Sequence, residues 1–148
     1  MDENLLWVIR DFVYQHFAET TSPPRVEDTA TQFSLAEKEA AFAYEELHKR
    51  HAFFLKPNTH DILMANPFSG VETSFKVYAS HKTYFANCAW DSLGIPAALH
   101  VDAEVEAACA QSGELIRLTV RGQQVKGTVA LVHFLAPFKN WYNDLSFT

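Results

Sequence analysis

The sequence predicts an α+β protein. Its first half is expected to be a winged-helix-like set of three helices with a β-hairpin. Its second half is expected to be a small β-sheet domain with one short helix carrying Cys88 and Asp91. Two observations predict this. Apolar residues recur at helical spacing to about residue 50, and the period then changes to short alternating runs bounded by Pro, Gly and Asn. The chain has 148 residues, 48% hydrophobic and 20% charged, enough apolar material to bury a core. A division into residues 1–70 and 71–148 follows, with Asn66-Pro67-Phe68-Ser69-Gly70 as turn and junction.

Residues 4–18 carry Leu5, Val8, Ile9, Phe12, Val13 and Phe17 at helical spacing, and Thr20-Thr21-Ser22-Pro23-Pro24 ends that helix. A short second helix spans about Val26 to Gln32. A third begins at a capping box, Ser34-x-x-Glu37, and runs to about Arg50 with Ala40, Ala43, Tyr44 and Leu47 as its apolar stripe. Residues 52–56 and 61–65 are short apolar runs around Pro57-Asn58-Thr59-His60, a hairpin pattern.

Phe75 to Tyr78 alternates as a strand. Residues 103–107 alternate small apolar with acidic side chains, a strand with a helix as the alternative. Leu115 to Val120 places Ile116, Leu118 and Val120 on one strand face, and residues 125–135 add a further strand or two.

Charge narrows the function classes. The formal net charge is −6, and residues 1–70 hold 6 basic against 11 acidic side chains. A winged helix reads as a DNA-binding unit or as a packing module. The acidic third helix, with Glu37, Glu39, Glu45 and Glu46, would repel phosphates and favours packing. Nucleic acid is therefore not an expected partner. No apolar run is long enough to cross a membrane, and the acidic start lacks the basic opening of a secretory signal. Two cysteines make no disulfide framework, so a cytoplasmic, reducing setting is expected.

The stretch Tyr84-Phe85-Ala86-Asn87-Cys88-Ala89-Trp90-Asp91-Ser92-Leu93-Gly94-Ile95-Pro96 is the candidate site. Cys88 and Asp91 are three apart, on one face of a helical turn. With Asn87 as cap, Cys88 falls in the first turn, where the helix dipole favours a thiolate. Gly94 and Pro96 are expected to end the helix. Cys88 reads as either a reactive thiol or a buried inert one, and Asp91 as either an acid/base group or an ordinary capping carboxylate. Cys109, before the Gln111-Ser112-Gly113 turn, reads as core packing, so Cys88 is expected to be the more reactive thiol. His48 and His51 lack a second pair at ligand spacing, which argues against zinc. There is no Gly-rich phosphate loop and no Gly-x-Ser-x-Gly elbow.

These residues resemble the organomercurial (alkylmercury) lyases. The resemblance rests on Asn66-Pro67-Phe68-Ser69, the Cys88-to-Pro96 core, Val105-Glu106, Cys109, and Ser112-Gly113 leading to Leu118-Thr119-Val120. It implies a winged-helix-like region fused to a small β-sheet domain, and cleavage of carbon–mercury bonds by protonolysis to a hydrocarbon and Hg(II). It implies that the Cys88 thiolate binds mercury, that Asp91 handles the proton, and that Cys109 is buried and structural. It implies no cofactor, an organomercurial or other soft electrophile as ligand, and low-molecular-weight thiols to take up Hg(II). The family's second catalytic cysteine follows a Ser-Phe pair, whereas Ser146-Phe147 is followed here by Thr148. Either Thr148 replaces that cysteine or the chain continues beyond it. The alternative function is a relative without lyase activity, a thiol-based ligand-binding or regulatory module.

Overall fold

A computed structural model describes residues 1–134 and 136–143. Helix α1 (Glu3–Thr20) starts at Asp2, whose carboxylate accepts from the Leu5 amide at 3.3 Å. It buries Leu6, Ile9, Val13 and Phe17, the i, i+3, i+7, i+11 stripe of an amphipathic helix. Helix α2 (Val26–Phe33) and helix α3 (Glu37–Lys49) pack together through a buried polar link. There the Tyr44 hydroxyl lies 2.7 Å from Thr29 Oγ1 and donates to the Pro24 carbonyl at 3.3 Å, which satisfies both hydroxyls inside the core.

The expected capping box at Ser34 is not formed. Ser34 takes a left-handed φ of 53° and closes α2, while Leu35 N–H bonds back to Ala30. Helix α3 starts after Ala36, whose amide is capped by Glu39 at 2.9 Å. The carboxylate half of the box is therefore met two residues later than the sequence suggested.

Two antiparallel sheets follow. The first has the order β1 (Phe54–Leu55), β2 (Ile62–Ala65), β3 (Phe68–Ser69). Strand β3 lies within the stretch expected as a bare junction. Gly70 follows it, where a Cβ would overlap the Ile62 carbonyl. The second sheet comprises β4 (Lys76–Ala79), β5 (Lys82–Phe85), β6 (Ala103–Ala108), β7 (Leu115–Arg121) and β8 (Gln124–Gly127). Its order is β5-β4-β6-β7-β8, antiparallel throughout.

Residues 103–107 are thus strand rather than helix. The strand expected over residues 125–135 stops at Gly127, where Thr128 N–H turns back to Arg117. Val129 and Leu131 beyond it are almost fully exposed, and Leu135 lies outside the described residues. A 3₁₀ helix spans Phe138–Asn143.

One apolar cluster runs from Leu6, Ile9 and Phe17 of α1 through Phe68 to Val77, Val105 and Ile95. The two halves meet closely. Phe17 stacks on Phe68 with ring centroids 5.4 Å apart, and a single bridge pairs Phe68 with Ala86. The Ala18 carbonyl at the end of α1 accepts from the Tyr84 hydroxyl at 2.7 Å and from Lys82 Nζ at 3.1 Å. A cation there complements the negative end of the helix. Strand β5 and the site that follows it are therefore anchored to α1. Among the described residues no helix is long and apolar enough to cross a membrane.

Candidate active site

Strand β5 delivers the chain to Cys88 in an extended conformation, φ −152° and ψ 178°, and helix α4 (Ala89–Leu99) begins at the next residue. Extended backbone with a side-chain acceptor is what an N-cap requires, and Cys88 fills that position itself. Its Sγ accepts from the Asp91 amide at 3.5 Å. The expected cap, Asn87, points elsewhere. Its Nδ2 donates to Asp91 Oδ2 at 3.0 Å, Asn66 Oδ1 at 3.1 Å and the Phe68 carbonyl at 3.2 Å.

Helix α4 also outlasts its expected end. Gly94 is there because Pro67 approaches it: a Cβ on Gly94 would sit 3.1 Å from Pro67 Cβ. Pro96 gives up one helical hydrogen bond, a cost of roughly 3 kcal/mol. Its full burial beside Ile95 offsets part of that. The helix closes at His100, in left-handed conformation, with its N–H on the Pro96 carbonyl.

Cys88 and Asp91 are both half-buried, and the Asp91 amide on Cys88 Sγ holds the two residues together at the head of the helix. Burial pushes the Cys88 thiol above its ordinary value. The Asp91 and Trp90 amides pull it back, and the negative Asp91 carboxylate pushes it up further. The depressed thiolate expected from the helix dipole is thus overturned by desolvation. Burial likewise raises the Asp91 carboxyl, against the lowering effect of Asn87 and of the Cys88 thiol. A thiol whose proton has a carboxylate beside it can attack a soft electrophile while the carboxylate takes the proton. The raised carboxyl then holds that proton where it can be given back.

Cys109 does not occupy the core position expected of it. It sits half-exposed at the end of β6, with its amide on the Glu114 carbonyl at 2.8 Å and its carbonyl accepting from Gly113 at 2.9 Å. The Ser112 hydroxyl, with the nearby Ser112 and Gln111 amides, holds its thiol below the ordinary cysteine range. The alternation of β6 simply ends at Ala108, so the next residue joins the turn. The greater exposure of Cys109 and the opposite pKa directions of the two thiols favour Cys109 for small neutral reagents, against the order expected from the sequence. Brief iodoacetamide treatment near neutral pH should label Cys109 before Cys88, and Cys88 should catch up only as pH rises above the ordinary cysteine range. Peptide mapping of the adducts checks this; earlier labelling at Cys88 would contradict it.

Other candidates stay apart from the pair. His48 Nδ1 accepts from the Leu55 amide at 3.4 Å, and His51 stacks on Phe54 and Tyr142. No group of three or more metal-ligating side chains occurs among the described residues. Two open surface grooves, one lined by Arg25, Lys38 and His60 and one by Tyr78, His81 and Arg121, contain neither Cys88 nor Asp91. Ser146, Phe147 and Thr148 lie outside the described residues. The sequence pattern missed Asn87 as the partner of the Asp91 carboxylate and Asn66 as the partner of Asn87, because an Asn before a helix reads first as a cap.

A half-buried cysteine and an aspartate meet at the start of a helix on an α+β scaffold. The alkylmercury lyase (MerB) family model matches residues 68–148, and the chain belongs to that family. The fold is similar to that in a crystal structure described as the mercury-bound form of MerB2, with a TM-score of 0.65 at 21% identity. That match covers 85% of this chain and 60% of the other. No curated protein matches the chain.

Proposed function

We propose that the chain cleaves carbon–mercury bonds of organomercurials by protonolysis, with Cys88 as the mercury-binding thiol and Asp91 as the proton carrier. The observation that carries this is the half-buried Cys88 at the N-cap of α4, with Asp91 in the first turn and its amide on Cys88 Sγ at 3.5 Å. In the first step Cys88 sulfur bonds to mercury, the anionic ligand on mercury leaves, and the thiol proton passes to Asp91. In the second step Asp91 returns that proton to the mercury-bound carbon. The electron pair of the carbon–mercury bond becomes the carbon–hydrogen bond. Hydrocarbon leaves, and mercury stays on Cys88 as Hg(II), with no change of oxidation state.

Hg(II) released from carbon needs a second soft ligand, and sulfur suits it far better than a carboxylate or hydroxyl. Low-molecular-weight thiols supply that ligand in this reading, and a reducing, cytoplasmic compartment supplies the thiols. No resident cofactor is required. The expected result with phenylmercury is at most about one equivalent of benzene per chain without added thiol, and continuing release with excess dithiol. An adduct that forms without benzene at any thiol concentration would instead identify a thiol-based binding module.

A further inference from the structure

Asp91 is held from outside its own helix. The Asn87 side-chain amide reaches three acceptors, Asp91 Oδ2, Asn66 Oδ1 and the Phe68 carbonyl, all within 3.2 Å. A carbonyl and an ionised carboxylate can only accept, so the NH₂ end of Asn87 must face them, and its orientation is fixed. Two of these anchors are rigid. Phe68 is 3% exposed, stacked on Phe17 and bridged to Ala86. The Asn66–Pro67 turn is pinned against α4 at Gly94. Asn87 therefore ties one oxygen of Asp91 to the β3 turn, while the Asp91 amide reaches Cys88 Sγ.

We infer that Asn87 is the positioning residue for proton transfer at Asp91. It holds the carboxylate against Cys88 without touching mercury or carbon, and this role rests on the lyase reading above. Misplacing a proton carrier by about an ångström can cost on the order of 100-fold in rate.

The test uses the full chain in three forms. In Asn87→Ala, the Cys88 adduct with phenylmercury should still form, since solvent base can take the thiol proton when Asp91 is misplaced. Benzene release from the formed adduct should slow by roughly 10–100-fold. In an Asp91→Asn background, Asn87→Ala should add no further slowing, because the residue it serves is already disabled. A second readout is independent of turnover. In ¹⁵N-labelled protein, Asp91→Ala should shift the Asn87 side-chain amide resonances and leave those of Asn4 and Asn58 in place.

Native-rate benzene release from Asn87→Ala, equal slowing in both backgrounds, or Asn87 resonances indifferent to Asp91→Ala would each overturn the role. No benzene from the native chain at all would overturn the lyase reading and take this role with it. The native control thus separates the two failures.

Discussion

Cys88→Ser should abolish the mercury adduct at α4 and all hydrocarbon release. The effect is all-or-none because the substitution exchanges a soft sulfur for a hard oxygen at the one atom that must bond mercury. The serine hydroxyl still caps α4, since serine is a good N-cap, so the helix and its register should persist. Loss of activity therefore reports chemistry rather than unfolding. Cys109 is accessible and will also take up mercury, so the comparison belongs in a Cys109→Ser background. Intact mass after mixing with phenylmercury should then show one adduct with Cys88 and none with Ser at that position. A surviving adduct would mean that another group binds mercury.

Asp91→Asn separates the two steps. It is isosteric, and its carbonyl oxygen can keep the Asn87 bond at the 3.0 Å position. It can neither accept the thiol proton nor return it to carbon. Removing a positioned proton carrier typically costs about 10²–10⁴-fold. Benzene release should fall by that order, while the adduct still forms once bulk base deprotonates Cys88. The Cys88 thiol should also ionise more readily, because the negative carboxylate beside it contributes to its raised pKa. Thiolate absorbance in Asp91→Asn on a Cys109→Ser background should thus appear at lower pH than in the same background with Asp91 intact. Undiminished release from this variant would remove Asp91 from the mechanism.

The elements legible in the sequence were those whose pattern is set by burial on one face. Helix α1, the β1–β2 hairpin, and strands β4 and β7 all stand where periodicity put them. The failures have local causes. Strand β5 was hidden because Tyr84 and Phe85 read as the approach to the reactive segment, although they pair with Val77 and Lys76. Ser34 carries the residue type of an N-cap, but its left-handed backbone makes it the end of α2. Gly94 and Pro96 look like breakers, and only the approach of Pro67 and the burial of Pro96 explain their place inside α4.

At the site, the spacing of Cys88 and Asp91 was visible, since three residues along a helix is a geometric statement. Their ionisation was not. Helix polarity can be read from a sequence, but desolvation depends on what packs over the pair. The same blindness hid Asn87, whose three acceptors come from residues as far back as Asn66. It also misplaced Cys109, because an alternating run does not mark the residue at which burial stops.

The most direct test follows both steps on one sample of the Cys109→Ser chain mixed with phenylmercury and no added thiol. Intact mass is read over time alongside headspace benzene. A phenylmercury adduct should form first and be replaced by a bare mercury adduct on Cys88 at the rate at which benzene appears. A phenylmercury adduct that persists without benzene, or benzene that appears with no adduct on Cys88, would contradict it.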